Sequence, residues 1–325
     1  MPKPEPNTHF LKSGWDLISG THRFSHEAMA ATFEVIISHE DARYARHAAQ
    51  AAFDELDRLE GELSRFIENS DISRVNNLTA GQSLTVGVDT FDCLRLCGKM
   101  HSETNGAFDI TVGSLFDCWL NEDKILRTPS EEELSLAHQR TGMHLLRLDE
   151  VEHTVQLLAE GVQIDLGGIG KGYAIDRMGH LLRDWGIGTA MLHGGYSSVL
   201  ALGTPTGTEG WPLALSNPDN RSEALARLCL QDRAMSGSGL QTGPHIIDPR
   251  TAHPVEGKLA AWACAPDAAT ADALSTAFMV MTPDEVEQYC LRHSDTPAVI
   301  AVQDQGKDAK EQKVLRFGPW KESIS

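Results

Sequence analysis

Ile164 to Asp176 reads IDLGGIGKGYAID, with four glycines in a run that passes from a strand-like segment (Val162 to Leu166) into a helical one (Tyr173 to Trp185). Glycine weakens whichever element it sits in. Four of them between two well-patterned segments therefore point to something that approaches the backbone closely. The first amides of a helix lack intrahelical partners and carry partial positive charge. Without a Cβ in the way, a phosphate reaches them, and Lys171 supplies a local cation. Close packing of strand against helix accounts for the same glycines, and the run alone does not choose between the two. It is not a Walker A loop, which needs G-x-x-x-x-G-K-[ST]. Nor is it a dinucleotide fingerprint, because Gly172 comes one position too soon and no acid follows at the proper distance.

The rest of the chain predicts an α+β protein with sheets flanked by helices. Helical periodicity runs over Asp41 to Phe66, Asp89 to Gly106, Pro129 to Arg140, Ala269 to Met281 and PDEVEQYCLRH. Strands are expected at Ala31 to Ser38, GTAMLHGG, GWPLAL and AVIAVQ, with a hairpin in LLRLDEVEHTVQLL. ENSDISRVNNL reads as a polar turn region, and AFDITVGSLFDCWL has no clear period. ARLCLQDRAMSGSG reads as extended, followed by a small, polar turn from Ser236 to His245. Strands and helices interleave without a regular βαβα alternation, which argues against a doubly wound sheet. Residues 1–25 read as a polar, proline-containing N-terminal arm, and residues 26–325 as one domain.

The formal charge is -18, from 28 basic and 46 acidic residues. This disfavours non-specific binding to nucleic acid or anionic membrane, so an anionic ligand needs local cations, backbone amides or a metal ion. The six cysteines form no C-x-x-C pair and read as buried thiols of a reducing compartment. The first residues carry no signal-like apolar stretch, and no later run approaches ~18 apolar residues. A cytoplasmic location without a membrane span is expected.

Three further places carry candidate chemistry. Asp272 and Thr276 are four apart on a helix and share a face, where carboxylate and hydroxyl suit a hard cation such as Mg²⁺. Alternatively, Asp272 lies in the first turn and complements the helix dipole, with Thr270 as the cap. His245, three before Asp248, is a candidate base or an ordinary strand residue beside a turn. Asp109 and Thr111 flank the core-like segment around Phe108.

In order along the chain stand MAATFEV, LSRFIENSDISRVN, GAFDITVG, IDLGGIGKGYAID, HIIDPRTAHPV and ADALSTAF. Together they resemble the ApbE family, the FAD:protein FMN transferases, over roughly Ala28 to Met281. The resemblance implies an α+β fold with an FAD cleft between lobes. It implies transfer of FMN from FAD onto a Thr or Ser hydroxyl of a target flavoprotein, with release of AMP and with Mg²⁺ near the pyrophosphate. It places Met29 and Phe66 near the flavin, and Ala107, Phe108 and Asp109 along the FAD site. Asp165 and Lys171 would hold polar parts of FAD. Gly168 (through its carbonyl), Asp272 and Thr276 would be the metal ligands, and His245 the catalytic base beside the reacting phosphate. The chain departs from many relatives in HGGYSSV, where they read GGD, in the small and polar Ser236 to His245 segment, and in Phe66, where they carry tyrosine. An FAD pyrophosphatase and a non-catalytic flavin binder are the alternatives. Relatives act on a D-G-x-[ST]-G-A-[ST] type motif, which this chain lacks, so self-modification is not expected.

Overall fold

The computed structural model describes residues 10–13, 18–121, 125–218, 220, 223–240, 246–303 and 312–320. In chain order the strands are β1 (Leu11–Ser13), β2 (Thr21–Ala28), β3 (Ala31–Ser38), β4 (Ser83–Thr85), β5 (Leu146–Asp149), β6 (Thr154–Leu157), β7 (Ala190–Gly194) and β8 (Ser198–Leu202). They continue as β9 (Trp211–Ser216), β10 (Ala224–Leu230), β11 (Ala234–Gly239), β12 (Ile247–Asp248), β13 (His253–Pro254), β14 (Lys258–Ala265), β15 (Ala298–Gln303) and β16 (Gln312–Phe317). The helices are α1 (Ala42–Leu63), α2 (Asp71–Asn76), α3 (Val88–Glu103), α4 (Gly113–Trp119), α5 (Glu131–Gln139), α6 (Gly170–Asp184), α7 (Ala268–Val280) and α8 (Pro283–Arg292).

Eight strands form one sheet in the order β16-β15-β14-β11-β8-β7-β3-β2, and every pairing between neighbours in it is antiparallel. Both faces are covered, so its central strands are apolar almost throughout. Phe33, Val35 and Ile37 of β3 enter a large core shared with α1, α6 and α7, while Ile36 between them enters a second core. Strand β14 divides the same way, with Ala261, Ala263 and Ala265 on the helix side and Ala260, Trp262 and Cys264 on the other. The period-2 alternation of a strand thus feeds two cores at once. A small sheet, β1-β9-β10, closes the second core with Leu11, Trp211, Leu213 and Leu215. A third cluster gathers Val112 and Leu115 with Ala137, Ile247 and Ala252, away from the main sheet.

The α+β architecture is as expected; of the mixed or antiparallel sheets expected with it, the ladders among the described residues are all antiparallel, and the expected hairpin is β5–β6. The described part of the expected N-terminal arm is built into sheets: β1 pairs with β9, and β2 pairs with β3 along its whole length. The expected polar turn contains α2, capped by Ser70, whose side chain accepts from the Ser73 amide at 2.9 Å. The aperiodic AFDITVGSLFDCWL contains α4. The strand expected from Val162 to Leu166 does not join a ladder, and only Gln163 forms an isolated parallel bridge, to Val112. The Asn76 side chain takes its place as partner: Ile164 donates to Asn76 Oδ1 at 2.7 Å, and Asn76 Nδ2 donates back to the Ile164 carbonyl at 3.0 Å. Val162, Ile164 and Leu166 are buried, so the alternation is real although the ladder is not. The turn expected from Ser236 to His245 begins as strand β11, buried between β8 and β14. Cys93, Cys97, Cys118, Cys264 and Cys290 are buried thiols, whereas Cys229 is exposed, because it lies on an outward position of β10. No helix among the described residues is long and apolar enough to cross a membrane.

Candidate active site

Helix α6 starts inside the glycine run, at Gly170, and α7 packs across it. The crossing is so close that a Cβ on Gly172 would stand 2.2 Å from the Ala268 carbonyl oxygen. Glycine is required there by helix packing. Four residues earlier the surroundings change, because a Cβ on Gly168 would lie 3.1 Å from Thr276 Oγ1 and 3.3 Å from the Phe108 ring. The packing reading of the glycine run holds at Gly172, while Gly167 and Gly168 lie on the surface of a cleft.

Gly167, Gly168 and Lys171 border a cleft of about 820 Å³, within the range of small-molecule sites. Its lining includes Ala107, Phe108, Asp109, Val112 and Phe116, together with Gly195 to Ser197 and Gly237 to Gly239. Asp165, Asp272 and Thr276 lie along it as well, so residues more than a hundred positions apart meet at one surface. Of the residues singled out from the sequence, the structure brings Phe66, Ala107, Phe108, Asp109, Asp165, Gly168, Lys171, Asp272 and Thr276 to this cleft. Met29 is not on the lining, although its neighbours Ala30 and Ala31 are. Met29 and Ala30 form the two-residue turn between β2 and β3, with φ of 49° and 56°. That pair of left-handed residues is the hairpin geometry matching strand twist, and Glu60 Oε1 pins it by accepting the Met29 amide at 2.7 Å. His245 lies outside the described residues, while Ile246 and Ile247 line the cleft.

Asp272 is 3% exposed and lies past the first turn of α7, whose cap is Asp267, accepting from the Thr270 amide at 2.7 Å. Neither the Thr270 cap nor the helix-dipole reading of Asp272 therefore applies. Its carboxylate accepts from Ser198 Oγ at 3.0 Å, Ser236 Oγ at 2.9 Å and the Gly172 amide at 3.1 Å. Thr276 Oγ1 stands 3.3 Å from the Asp272 carbonyl and 3.2 Å from Ser238 Oγ. This corner presents only oxygen donors, which suits Mg²⁺ and not a soft metal. Among the described residues Asp272 Oδ2 accepts one hydrogen bond, from the Gly172 amide, where a carboxylate oxygen can accept two. The Gly168 backbone adjoins Thr276 directly. The donor set fits a hard divalent ion, and no cluster of three or more His, Cys, Asp or Glu side chains among the described residues offers another metal site.

Asp165 Oδ1 accepts from the Gly167 amide at 2.7 Å, closing a tight turn, and Oδ2 pairs with Arg65 Nε at 3.2 Å. Asp109 is buried and accepts from the Thr111 amide and hydroxyl, the Met143 amide and His101 Nδ1. That carboxylate holds the His101 pKa above its usual value. The described lining carries five carboxylates (Glu27, Asp109, Asp117, Asp165, Asp272) and two cations, Arg65 and Lys171. An anionic ligand would enter an acidic cleft and would need a further cation beside it. Phe66, 76% exposed, stands on the cleft surface with the Arg65 guanidinium 5.1 Å from its ring centroid. Reading the sequence missed Arg65, Ser198, Ser236 and Ser238. The serines sit 74, 36 and 34 residues ahead of Asp272, and no local pattern links them; their only trace is their place in the unusual HGGYSSV and SGSG segments.

The fold and cleft define an α+β protein in which a glycine-rich helix start, a lysine and an oxygen-only donor pair converge on one pocket. The ApbE family model matches residues 29–300, and the chain belongs to the ApbE family. It is 31% identical over 253 residues to the FAD:protein FMN transferase of Chlamydia trachomatis serovar D, covering 71% of this chain and 76% of that one. To the FAD:protein FMN transferase of Chlamydia muridarum it is 29% identical over 257 residues, covering 76% and 78%. The crystal structure of the ApbE protein from Thermotoga maritima superposes with a TM-score of 0.80 at 26% identity, over 91% of this chain and 97% of the other.

Proposed function

We propose that the protein is a Mg²⁺-dependent FAD:protein FMN transferase that moves FMN from FAD onto a Thr or Ser hydroxyl of a target flavoprotein and releases AMP. One observation carries this reading: in a chain of the ApbE family, the glycine turn, Lys171 and the Asp272–Thr276 oxygen pair face the same cleft. FAD bears its charge at the pyrophosphate, and the cleft is itself acidic. When bound, a divalent ion held by Asp272, Thr276 and the Gly168 carbonyl offsets that charge and stabilises the leaving phosphate.

The chain's own residues account for the remaining needs. Lys171 and the Gly167–Gly168 backbone receive phosphate oxygens at the start of α6. Asp165 shapes that turn and orients Arg65. Phe108 and Ala107 give the wall its apolar surface, Asp109 fixes the loop around them, and Phe66, with the Met29 turn beside it, borders the flavin end. The acceptor hydroxyl attacks the FMN-side phosphorus in line. The new O–P bond forms as the bond to the AMP phosphate breaks, and the hydroxyl proton passes to a base, for which we propose His245.

The test is to incubate the full chain with FAD and Mg²⁺, with and without an acceptor domain carrying a D-G-x-[ST]-G-A-[ST] motif. AMP release and in-gel flavin fluorescence of the acceptor are followed. A fluorescent acceptor with stoichiometric AMP is expected. AMP and free FMN with no labelled acceptor would replace transfer by hydrolysis, and bound FAD with no AMP would leave only a flavin-binding role. His245→Ala is expected to keep FAD binding within about 3-fold and to slow transfer at least ~100-fold. Transfer at the parent rate would remove His245 as the base.

A further inference from the structure

We propose that Ser198 and Ser236 are positioning residues that aim the Asp272 carboxylate at the metal; this rests on the metal site proposed above. Both serines are fully buried, and neither lines the cleft, so any influence on a bound ion passes through Asp272. A buried carboxylate is costly unless donors satisfy it. Here the donors come from three elements that the sheet and helices bring together. Ser198 lies on β8 and Ser236 on β11, and they face each other in register across the β8–β11 pair. Gly172 lies in the first turn of α6.

The pattern of donors is uneven. Among the described residues both serine hydroxyls reach Oδ1, at 3.0 Å and 2.9 Å, whereas Oδ2 receives only the Gly172 amide at 3.1 Å. A carboxylate offers about four lone-pair sites; the two serine protons are shared among Oδ1, the facing serine and the Ser197 carbonyl, and among the described residues Oδ2 faces a single donor. Asp272 borders the cleft together with Thr276. The two serine hydroxyls are 2.9 Å apart, and Ser236 Oγ is also 3.0 Å from the Ser197 carbonyl, which limits how either can turn. Asp272 is thereby held as a one-oxygen ligand of set direction. Outer partners of this kind tune metal affinity by roughly 10–100-fold.

The experiment titrates Mn²⁺, followed by electron paramagnetic resonance, into FAD-saturated full-length protein. It compares the parent chain with Ser198→Ala, Ser236→Ala, the double variant and Asp272→Asn. Each single serine variant is expected to weaken Mn²⁺ by about 10-fold, and the double variant by more. In turnover, the metal concentration giving half the maximal rate rises equally, while the rate at saturating metal stays within about 3-fold. Melting temperature and FAD binding show whether each variant is folded. Ser198→Cys and Ser236→Cys, which keep the shape but donate poorly, replace any alanine variant that fails to fold, with the same weakening expected. If Asp272→Asn loses Mn²⁺ while the serine variants bind it like the parent, the positioning role is overturned and the metal site stands. If Asp272→Asn binds Mn²⁺ like the parent, the metal assignment falls and the inference with it.

Discussion

Gly172 has two tasks at one position. Its missing Cβ lets α6 touch the α7 backbone, and its amide donates to Asp272. Gly172→Ala would put a methyl group against a carbonyl oxygen that belongs to a helix and cannot swing aside. We expect a loss of about 2–3 kcal/mol in urea unfolding, and a loss below about 0.5 kcal/mol would contradict the contact. His101 offers a test in pH. Its bond to Asp109 raises its pKa from 6.5 in the folded chain, so the folded state holds the proton more tightly than the unfolded state. The stability it adds is complete below 6.5 and disappears as the pH climbs through the raised value. Urea midpoints should fall from about pH 6 to about pH 8.5 in the parent chain and less steeply in His101→Gln. Parallel curves would show that the pair does not matter to folding.

At the scale of elements, α7 is the helix on which the candidate site depends, and each of its ends is held by a residue of another element as well as by its own neighbours. Asp267 caps its start, and Asp176 of α6 accepts the Ala268 and Ala269 amides at 2.8 Å each. At the other end Lys258 of β14 reaches the carbonyls of Phe278, Met279 and Met281. These are groups that a helix end leaves without partners. Burial lowers the Lys258 pKa to about 8, so it remains largely protonated at neutral pH. Lys258→Met keeps the apolar stem and removes the donors. The expected loss is about 1–3 kcal/mol, with faster amide exchange confined at first to the last turn of α7. Unchanged exchange there would mean that the lysine does not hold the helix end.

For the whole molecule, Phe10 joins parts that would otherwise be separate layers. Its amide donates to the Tyr196 carbonyl at 3.0 Å, and its carbonyl accepts from the Ser216 amide at 3.0 Å and the Trp262 indole at 3.1 Å. Its Cβ lies over Gly237 and its ring over Gly239, and the residue forms part of the cleft surface. Phe10→Ala is expected to cost about 3 kcal/mol. Phe66→Ala, at an exposed position, should change stability by no more than about 0.5 kcal/mol. Thermal unfolding of the two variants makes the comparison, and equal losses would show that the N-terminal segment does not tie the layers together.

Periodicity along the chain was sufficient for α1, α3, α5, α7, α8, β3 and the β5–β6 hairpin, because each is decided by a repeat of apolar residues within one segment. The ordered motifs were sufficient for the family and for most of the residues that meet in the cleft. Segments whose partner lies far away were not legible. Val162 to Leu166 looks like a strand, but Ile164 at its centre bonds to an asparagine side chain 88 residues earlier, and Gln163 and Asp165 bond to the backbone of Gly113 and Ile110 without forming a ladder. Phe10 and Leu11 look like part of a polar arm until β9 and Trp262 give their backbone and side chains partners. Asp272 looks like a helix-dipole residue until two serines from neighbouring strands and a helix amide close around it. Local sequence determined those helices and strands that carry their own apolar repeat. The tertiary structure alone decided which polar groups meet, because a buried hydrogen bond depends on distance in space and leaves no period in the chain.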